Sequence, residues 1–252
     1  MNAALEIAAS GLSAQQKALD IIANNVANVN TNAFKRSSVQ FSDMIAHAAI
    51  GESLAANLAT APSLSGVSSR GAIELFEQGE IERTGHLLDV AIDGQGFIEL
   101  MGPAGETLLW RGGRLAVGDD GYLSGEGFAL KGAIAIEPAM SALRIDAAGR
   151  VFATTAPGSE SEIGRIEIVE AESAADVERM DDGLYRLTET GAAGAMRASS
   201  ASALVQGGLE RSNVRLSEEM VQLLIVQRAF AANAQIVQAA DQLSAIANNL
   251  KR

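Results

Sequence analysis

Apolar residues at both ends of the chain recur at alternating intervals of three and four. This spacing lines one face of a helix and is typical of helices that pack against other helices. The N-terminal face comprises Leu5, Ala8, Leu12, Gln15, Leu19, Ile22, Val26 and Val29. The C-terminal face comprises Leu216, Met220, Leu223, Phe230, Ala234 and Val237, and the adjacent stripe Ile236, Ala240, Leu243, Ala247 and Leu250. The pattern predicts one long helix at each end of the chain.

A cluster of asparagines indicates where the first helix ends. Asparagine amides compete for backbone hydrogen bonds and are tolerated at left-handed helix caps, so the helix should end between Asn28 and Asn32. Two interpretations of the cluster stay open. The asparagines only stop the helix, or Asn24 or Asn28 faces the helix seam and fixes its register, as buried polar residues do in coiled coils.

The middle of the chain has a different residue pattern. After a predicted short helix around residues 41–49 and an irregular connector, short alternating segments and glycine-containing turns recur from Arg70 to Arg197. The clearest turns are at residues 94–96, 119–121 and 181–183. The predicted fold class is therefore α+β. Residues 1–36 and 208–252 form a terminal helical, coiled-coil-like domain, residues 37–75 a connector that contacts neighbouring subunits, and residues 76–207 a central β-rich domain.

The terminal helices should not be stable alone. Burying the aliphatic side chains of the first helix contributes less free energy than is lost as conformational entropy when its backbone is ordered. The helix must therefore pair with the C-terminal helix, with neighbouring subunits, or with both. If the partners are other subunits, both ends would be disordered before assembly.

Charge and composition exclude several classes of partner. The chain carries 31 acidic and 19 basic residues, a formal net charge of −12, which repels nucleic acid and anionic lipid. It has no cysteine, so no disulfide is expected. No uncharged apolar run approaches the roughly 20 residues that span a bilayer, and no cleaved secretory signal is recognisable. We expect no nucleic-acid partner and no membrane insertion.

Candidate chemistry is sparse. The two histidines, His47 and His86, have no second ligand at metal spacing, so neither a metal nor a cofactor is expected. The aspartate-rich turns lack the ligand pattern of a calcium loop, and residues 94–96 lack the lysine of a phosphate loop. No serine–histidine–aspartate arrangement stands out. The sequence predicts a protein that is not an enzyme.

Three segments resemble the flagellar rod and hook proteins, the axial proteins of the bacterial flagellar basal body. They are residues 23–36 (ANNVANVNTNAFKR), residues 88–97 (LDVAIDGQGF), and residues 208–214 (GLERSNV) leading into a matching helix that includes Gln227. Within this family of basal-body rod proteins, residues 34–36 and 226–230 are most similar to the distal rod protein. Residues 182–187 (DGLYRL) are more similar to a proximal-rod relative.

The resemblance implies a helical domain built from both termini, a β-rich domain between them, and polymerisation into a helical tube that transmits torque to the hook. It implies partners as well: copies of the chain, neighbouring rod and hook proteins, and the type III export apparatus, which exports without signal cleavage. The location it implies is the periplasm-spanning rod of the basal body. Two positions depart from the family. Ala33 replaces a glycine, so we expect a differently built turn because a Cβ resists positive φ, and Ala231 replaces an acidic residue.

The candidate site is an assembly surface. We expect the helical packing to be carried by Leu5, Leu12, Leu19, Ile22, Val26, Met220, Leu223, Phe230, Val237 and Leu243, and Gln227 to belong to the same assembly surface. The turn after the first helix should be set by Asn24, Asn25, Asn28 and Phe34. The alternatives are a proximal-rod member of the same family, a secreted adhesin-like binding module, or a hydrolase with an unrecognised site. Concentration-dependent filament formation separates the rod subunit from the last two.

Overall fold

The computed structural model describes residues 2–45, 64–73, 77–136, 142–156, 159–173, 176–180, 183–188, 196–199 and 201–250. Within these residues the chain is α+β, as predicted, with two helices and a central β-rich region. Its contacts divide it into two compact units. The helical unit comprises Met1–Ala27, Ser37–Ala72 and Arg215–Arg252, and the β-unit comprises Asn28–Arg36 and Ile73–Val214. The segment that follows the first helix thus belongs to the β-unit, whereas the sequence placed it with the helices.

The helical unit contains α1, Asn2–Ala27, and α2, Leu216–Leu250. α1 ends immediately before Asn28, where the asparagine cluster predicted the end of the helix. Gly11 lies against Asn233, and Asn25 is hydrogen-bonded to Glu219. From the first contact to the second, the residue number rises on α1 and falls on α2, so the two helices pack antiparallel.

Two strands complete the helical unit. β1, Ser37–Ile45, and β2, Leu64–Ile73, are hydrogen-bonded neighbours in a two-stranded sheet. The prediction of a helix around residues 41–49 is therefore wrong for residues 41–45, and residues 46–49 lie outside the described part of the chain. Residues 38–42 alternate polar and apolar side chains, a strand pattern that outweighs the helix preference of the alanines after them.

The β-unit contains sixteen further strands among the described residues. Their bounds are β3 Ile81–Arg83, β4 Asp89–Asp93, β5 Phe97–Met101, β6 Thr107–Trp110, β7 Gly112–Val117, β8 Leu123–Gly125, β9 Phe128–Ala129, β10 Ala142–Ile145, β11 Arg150–Ala156, β12 Ser159–Arg165, β13 Ile168–Ala171, β14 Val177–Arg179, β15 Leu184–Leu187, β16 Met196–Ala198, β17 Ala203–Gln206 and β18 Gly208–Glu210. The sheet orders are β14-β15-β6-β5-β13-β16, β17-β4-β7-β8-β9, β10-β11-β12 and β18-β3. Every pairing with a described register in this unit is antiparallel.

The main core of the β-unit surrounds Trp110, the only tryptophan of the chain. Gly113 and Gly125 lie against its ring, and a Cβ on either residue would come within 2.7 Å of a ring carbon. A smaller apolar cluster contains Phe97, Leu109, Val169, Val177 and Tyr185. The β-unit therefore has its own hydrophobic core, independent of α1 and α2.

The predicted turns fall between strands where they are described. Residues 119–121 join β7 to β8, with Gly121 at φ 80° and the Tyr122 amide donating to Asp120 Oδ1 at 3.1 Å. Residues 94–96 join β4 to β5. Of the third predicted turn, Asp181 and Asp182 lie outside the described residues.

Candidate assembly surface

The face of α1 that lines the helix seam is made mainly of small and polar residues. Its buried members are Ala8, Ala14, Ala18, Ile22 and Asn25, and Gly11 lies on the same face. At Gly11 the helices approach so closely that a Cβ would lie 2.9 Å from Asn233 Nδ2. Small side chains permit this approach, and close packing selects them over larger apolar ones.

The predicted α1 face coincides with the observed one at Ala8 and Ile22. At the positions between and after them the observed residue precedes the predicted one by one: Gly11 for Leu12, Ala14 for Gln15, Ala18 for Leu19 and Asn25 for Val26. Leu12 and Leu19 are half-buried at the margins of the seam, while Val26 is exposed. Leu5 lies in α1, but its side chain is outside the described part. Hydrophobic periodicity favoured the leucines because it ranks residues by apolarity, whereas the space between two helices is decided by side-chain size.

On α2 the side facing α1 includes Glu219, Leu223, Val226 and Asn233. Val226 packs with Ala18 and Ile22, and Leu223 lies at the edge of this cluster. Val237 is half-buried. Four of the expected assembly residues are exposed to solvent in the single chain: Met220, Gln227, Phe230 and Leu243.

We use the term outer α2 surface for the large apolar side chains that α1 leaves uncovered. Within the described side chains these are Leu216, Met220, Val221, Leu224, Ile225, Phe230, Ile236, Leu243 and Ile246, of which Met220 is 54% and Leu243 61% exposed. A helix that is apolar around most of its circumference is ordinarily buried on all sides. Contiguous exposed apolar surface on this scale marks an interaction site.

The segment Leu216–Ala240 is also long and apolar enough, by length and composition alone, to span a membrane, and very little of it is buried within the chain. Helices that pack against other proteins meet the same criterion. This segment carries Glu218, Glu219 and Arg228, and the Glu219 side chain is buried on the seam with α1.

The chain leaves α1 through a hydrogen-bonded clamp at Asn25. Its Oδ1 accepts from the Ser37 amide at 3.0 Å, and its Nδ2 donates to the Ser37 carbonyl at 2.8 Å and to Glu219 Oε2 at 3.2 Å. Asn24 is exposed, and the Oδ1 of the half-buried Asn28 accepts from Thr31 Oγ1 at 3.1 Å. The asparagine on the seam is thus Asn25, rather than Asn24 or Asn28. The observed seam includes Asn25 where the sequence predicted Val26, one residue later.

Ala33 adopts a left-handed backbone conformation, which ordinarily favours glycine. Its φ is 56°, and its amide donates to the Glu210 carbonyl at 2.7 Å. A Cβ at positive φ costs about 1–2 kcal/mol, so this turn carries strain that a glycine would avoid. Strain of this kind persists only where surrounding contacts fix the backbone.

Phe34 supplies one of those contacts. The Arg179 guanidinium lies 4.2 Å from the Phe34 ring centroid and 5.8 Å from that of Tyr185, and it donates to the Lys35 carbonyl. Tyr185 in turn packs against Phe97 with ring centroids 5.2 Å apart. Burial raises the pKa of Tyr185, so its hydroxyl stays protonated at neutral pH. These stacked groups join the segment after α1 to the smaller core of the β-unit.

A buried ion cluster completes this attachment. Glu210 Oε1 accepts from Lys35 Nζ at 2.7 Å and from the Gly79 amide at 2.8 Å, and Glu210 Oε2 accepts from Arg111 Nε at 2.8 Å. Lys35 Nζ also donates to the Glu77 carbonyl at 2.6 Å. Burial and the neighbouring Arg111 charge lower the pKa of Lys35.

Arg111 explains the glycines of the turn between β4 and β5. Its two terminal nitrogens donate to the carbonyls of Gly94 at 2.5 Å and Gly96 at 2.6 Å. Both glycines have positive φ, 116° and 118°, which presents these carbonyls to the guanidinium. The turn serves as a docking point for a buried arginine.

Sequence reasoning did not identify Arg111, Arg179 or Glu210 as important. Glu210 lies within the family-like segment 208–214, which was the one available signal, but nothing local indicates its partners. These groups bind one another and the backbone, an arrangement suited to fixing structure. Among the described residues there is no group of three or more metal-ligating side chains.

Comparison with known proteins places these features in one family. Three family models match the chain: the flagella basal body rod protein model at residues 5–35, the D1 domain model of flagellar hook protein FlgE/F/G at residues 91–153, and the flagellar basal body rod FlgEFG C-terminal model at residues 205–250. They cover α1, the centre of the β-unit and α2. Lys35 of the ion cluster lies within the N-terminal match, and Glu210 lies within the C-terminal match.

Individual relatives match over the full chain. The flagellar basal-body rod protein FlgG of Borreliella burgdorferi is 34% identical over 100% of both chains. FlgG of Agrobacterium fabrum is 32% identical over 98% of this chain and 99% of its own. The flagellar basal-body rod protein FlgF of Salmonella typhimurium is 29% identical over 91% of this chain and 90% of its own.

Proposed function

Since this chain belongs to the flagellar basal-body rod protein family, whose members are structural subunits and not enzymes, we propose that it polymerises with copies of itself through the outer α2 surface. The similarity to FlgG proteins supports a position in the distal part of the rod. Heterologous contacts between identical subunits generate an open helical array, which is the geometry of a tube. In that tube the subunits would transmit torque to the hook.

The observation that carries the proposal is the apolar circumference of α2. One helix, α1, covers one side of it, and the side chains that remain exposed include Leu216, Met220 and Leu224, which form a stripe at intervals of four residues. Burying one such side chain contributes about 1.5–3 kcal/mol. Several buried together supply enough free energy to hold a helical contact between subunits.

The assembly residues predicted from the sequence take two roles in this proposal. Leu12, Leu19, Ile22, Leu223 and Val237 stabilise the packing of α1 on α2 within a subunit. Val26, Met220, Gln227, Phe230 and Leu243 are exposed in one chain and would contact neighbouring subunits. Asn25 and Phe34 hold the turn after α1.

Partners beyond the chain itself follow from the family. We infer contacts with neighbouring rod and hook proteins in the basal body, and delivery by the flagellar type III apparatus without cleavage of a signal. A chain whose outer α2 surface is uncovered until assembly would have to pass through export before polymerising, because exposed apolar helices associate.

Electron microscopy and sedimentation of the purified full chain at increasing concentration test the proposal. We expect monomers at low concentration and tubes or short rods at high concentration. Met220→Asp and Leu224→Asp should abolish the rods, whereas Gln222→Asp on the same helix serves as the matched exposed control. A chain that stays monomeric at every concentration, as an adhesin-like module would, overturns the proposal. Binding to phosphatidylcholine vesicles in place of rods would identify a membrane role for α2.

A further inference from the structure

The close contacts between α1 and α2 define a single register. Gly11 lies against Asn233, and Asn25 is bonded to Glu219. The same number of residues separates the two contacts on each helix, from 11 to 25 and from 219 to 233. The register is therefore constant along the seam.

Small side chains cannot select this register alone. The α1 face repeats every seven residues, and Gly11, Ala18 and Asn25 occupy equivalent positions. Sliding α2 by seven residues in one direction places Val226 opposite Asn25. Sliding it in the other direction places Glu219 opposite Ala18. Neither slip would bring large side chains into collision, because alanine and glycine leave room in both.

The polar pair does distinguish the registers. Asn25 and Glu219 are both 1% exposed, and each slip separates the Glu219 carboxylate from the Asn25 amide. In one slip the Glu219 carboxylate would face the Ala18 methyl group, and in the other the Asn25 amide would face Val226. A buried polar group placed opposite an apolar side chain is strongly disfavoured. We infer that the Asn25–Glu219 hydrogen bond sets the register of α1 against α2.

Ser37 strengthens this selection by fixing the Asn25 side chain. Its backbone amide and carbonyl bond to the two ends of the Asn25 amide, at 3.0 and 2.8 Å. The amide group is thereby held in one orientation. Because Ser37 begins β1, the chain that returns from the turn holds the residue that aligns the two helices.

The register also decides which part of α2 extends past the start of α1. In the observed register Asn2 lies opposite residue 242, so residues from Leu243 to Leu250 have no α1 residue opposite them. A slip of seven residues would either cover this end or lengthen it. This consequence rests on the proposed function, since the uncovered end would form part of the outer α2 surface. The register itself is a property of one chain.

Cysteine cross-linking can measure the register because the chain contains no cysteine. Gln15→Cys with Ala229→Cys reports the observed register. Gln15→Cys with Ile236→Cys and Gln15→Cys with Gln222→Cys report the two slipped registers. The three pairs are placed in three dilute full-chain backgrounds: the natural sequence, Asn25→Leu with Glu219→Leu, and the control Asn24→Leu with Glu218→Leu. The control changes the neighbouring residues, which are exposed. Intramolecular disulfides are quantified after oxidation.

We expect at least one of the two slipped pairs to cross-link on the order of tenfold more in the Asn25→Leu, Glu219→Leu background than in the other two backgrounds. Replacing both partners with apolar residues avoids a lone buried charge, so the helices should persist, as circular dichroism can verify. Cross-linking confined to the observed pair in all backgrounds would overturn the inference. If the double variant loses its helices, the same cross-linking is compared between the single variants Glu219→Gln and Glu219→Leu. Slipping in Glu219→Leu alone supports the inference, and equal behaviour of the two variants refutes it.

These outcomes are separable from those of the proposed function. Rods that fail to form leave the cross-linking pattern of single chains unchanged. Rods that form normally from a slipped variant would instead show that assembly tolerates either register.

Discussion

Lys35 Nζ lies 2.7 Å from Glu210 Oε1, and both side chains are almost fully buried. The two residues come from opposite ends of the sequence, beside α1 and shortly before α2. With Arg111 on the other oxygen of Glu210, one carboxylate faces two cations. The β-unit is therefore completed by residues outside the central part of the chain, and it is incomplete without the segment that follows α1.

Removing the charge of Glu210 should destabilise the β-unit strongly. Glu210→Gln leaves Lys35 and Arg111 buried without a counter-charge, and we expect the free energy of unfolding to fall by about 3–5 kcal/mol. Urea unfolding followed by the fluorescence of Trp110 measures this directly. The control is Glu178→Gln, which breaks the exposed pair with Arg186 and should cost less than about 1 kcal/mol. Equal losses in both variants would contradict the structural role of the cluster.

The lowered pKa of Lys35 gives the stability a distinctive pH dependence. The folded chain releases the Lys35 proton at a lower pH than the unfolded chain, whose lysine keeps its ordinary value near 10.5. The unfolded state therefore binds more protons between these two values, and stability rises with pH there. We expect the natural chain to gain stability relative to Lys35→Met as pH increases through this window. Unfolding in urea at a series of pH values from neutral to about 10 tests the sign, and a constant or falling difference would be inconsistent with it.

Ala33→Gly should stabilise the protein. The substitution removes a Cβ strain of about 1–2 kcal/mol at φ 56°, offset by the backbone entropy of glycine, about 0.5–1 kcal/mol. The expected net gain is up to about 1.5 kcal/mol in the same urea experiment. Ala116→Gly, at an exposed position in β7, is the control and should lose stability. A loss at Ala33 as large as that at Ala116 would show that the turn is not strained.

Aspartate substitutions on α2 should separate folding from assembly. Met220→Asp places a charge on the outer α2 surface, so the subunit should keep its helical circular dichroism and melting temperature while failing to form rods. Leu223→Asp places the charge beside Ile22 and Val226, where it should reduce helical signal as well as block assembly. Leu12→Asp should resemble Leu223→Asp. Loss of helix in Met220→Asp would mean that its side chain supports the fold of the single chain.

The sequence predicted the helices and the β-rich middle because both depend on local periodicity. α1 ends beside Asn28, and residues 119–121 form a turn, since asparagine and glycine act through their own backbone preferences. The predicted seam differs from the observed one by one residue at most positions. Hydrophobic periodicity takes no account of side-chain size, and it is the small size of Gly11 and Ala18 that lets the helices approach. The Lys35–Glu210–Arg111 cluster could not be predicted, because its members are far apart in sequence and carry no shared local pattern.

The small-residue seam of α1 has an evolutionary consequence. Because Ala8, Gly11 and Ala18 hold the two helices together, the large residues that face outward contribute little to the stability of the single chain. Substitutions at Met220, Leu224 or Ile225 can therefore accumulate without a penalty in folding, and each changes which neighbour the helix accepts. A lineage can diversify its subunits into adjoining, mutually selective segments while the internal architecture of each subunit is inherited unchanged.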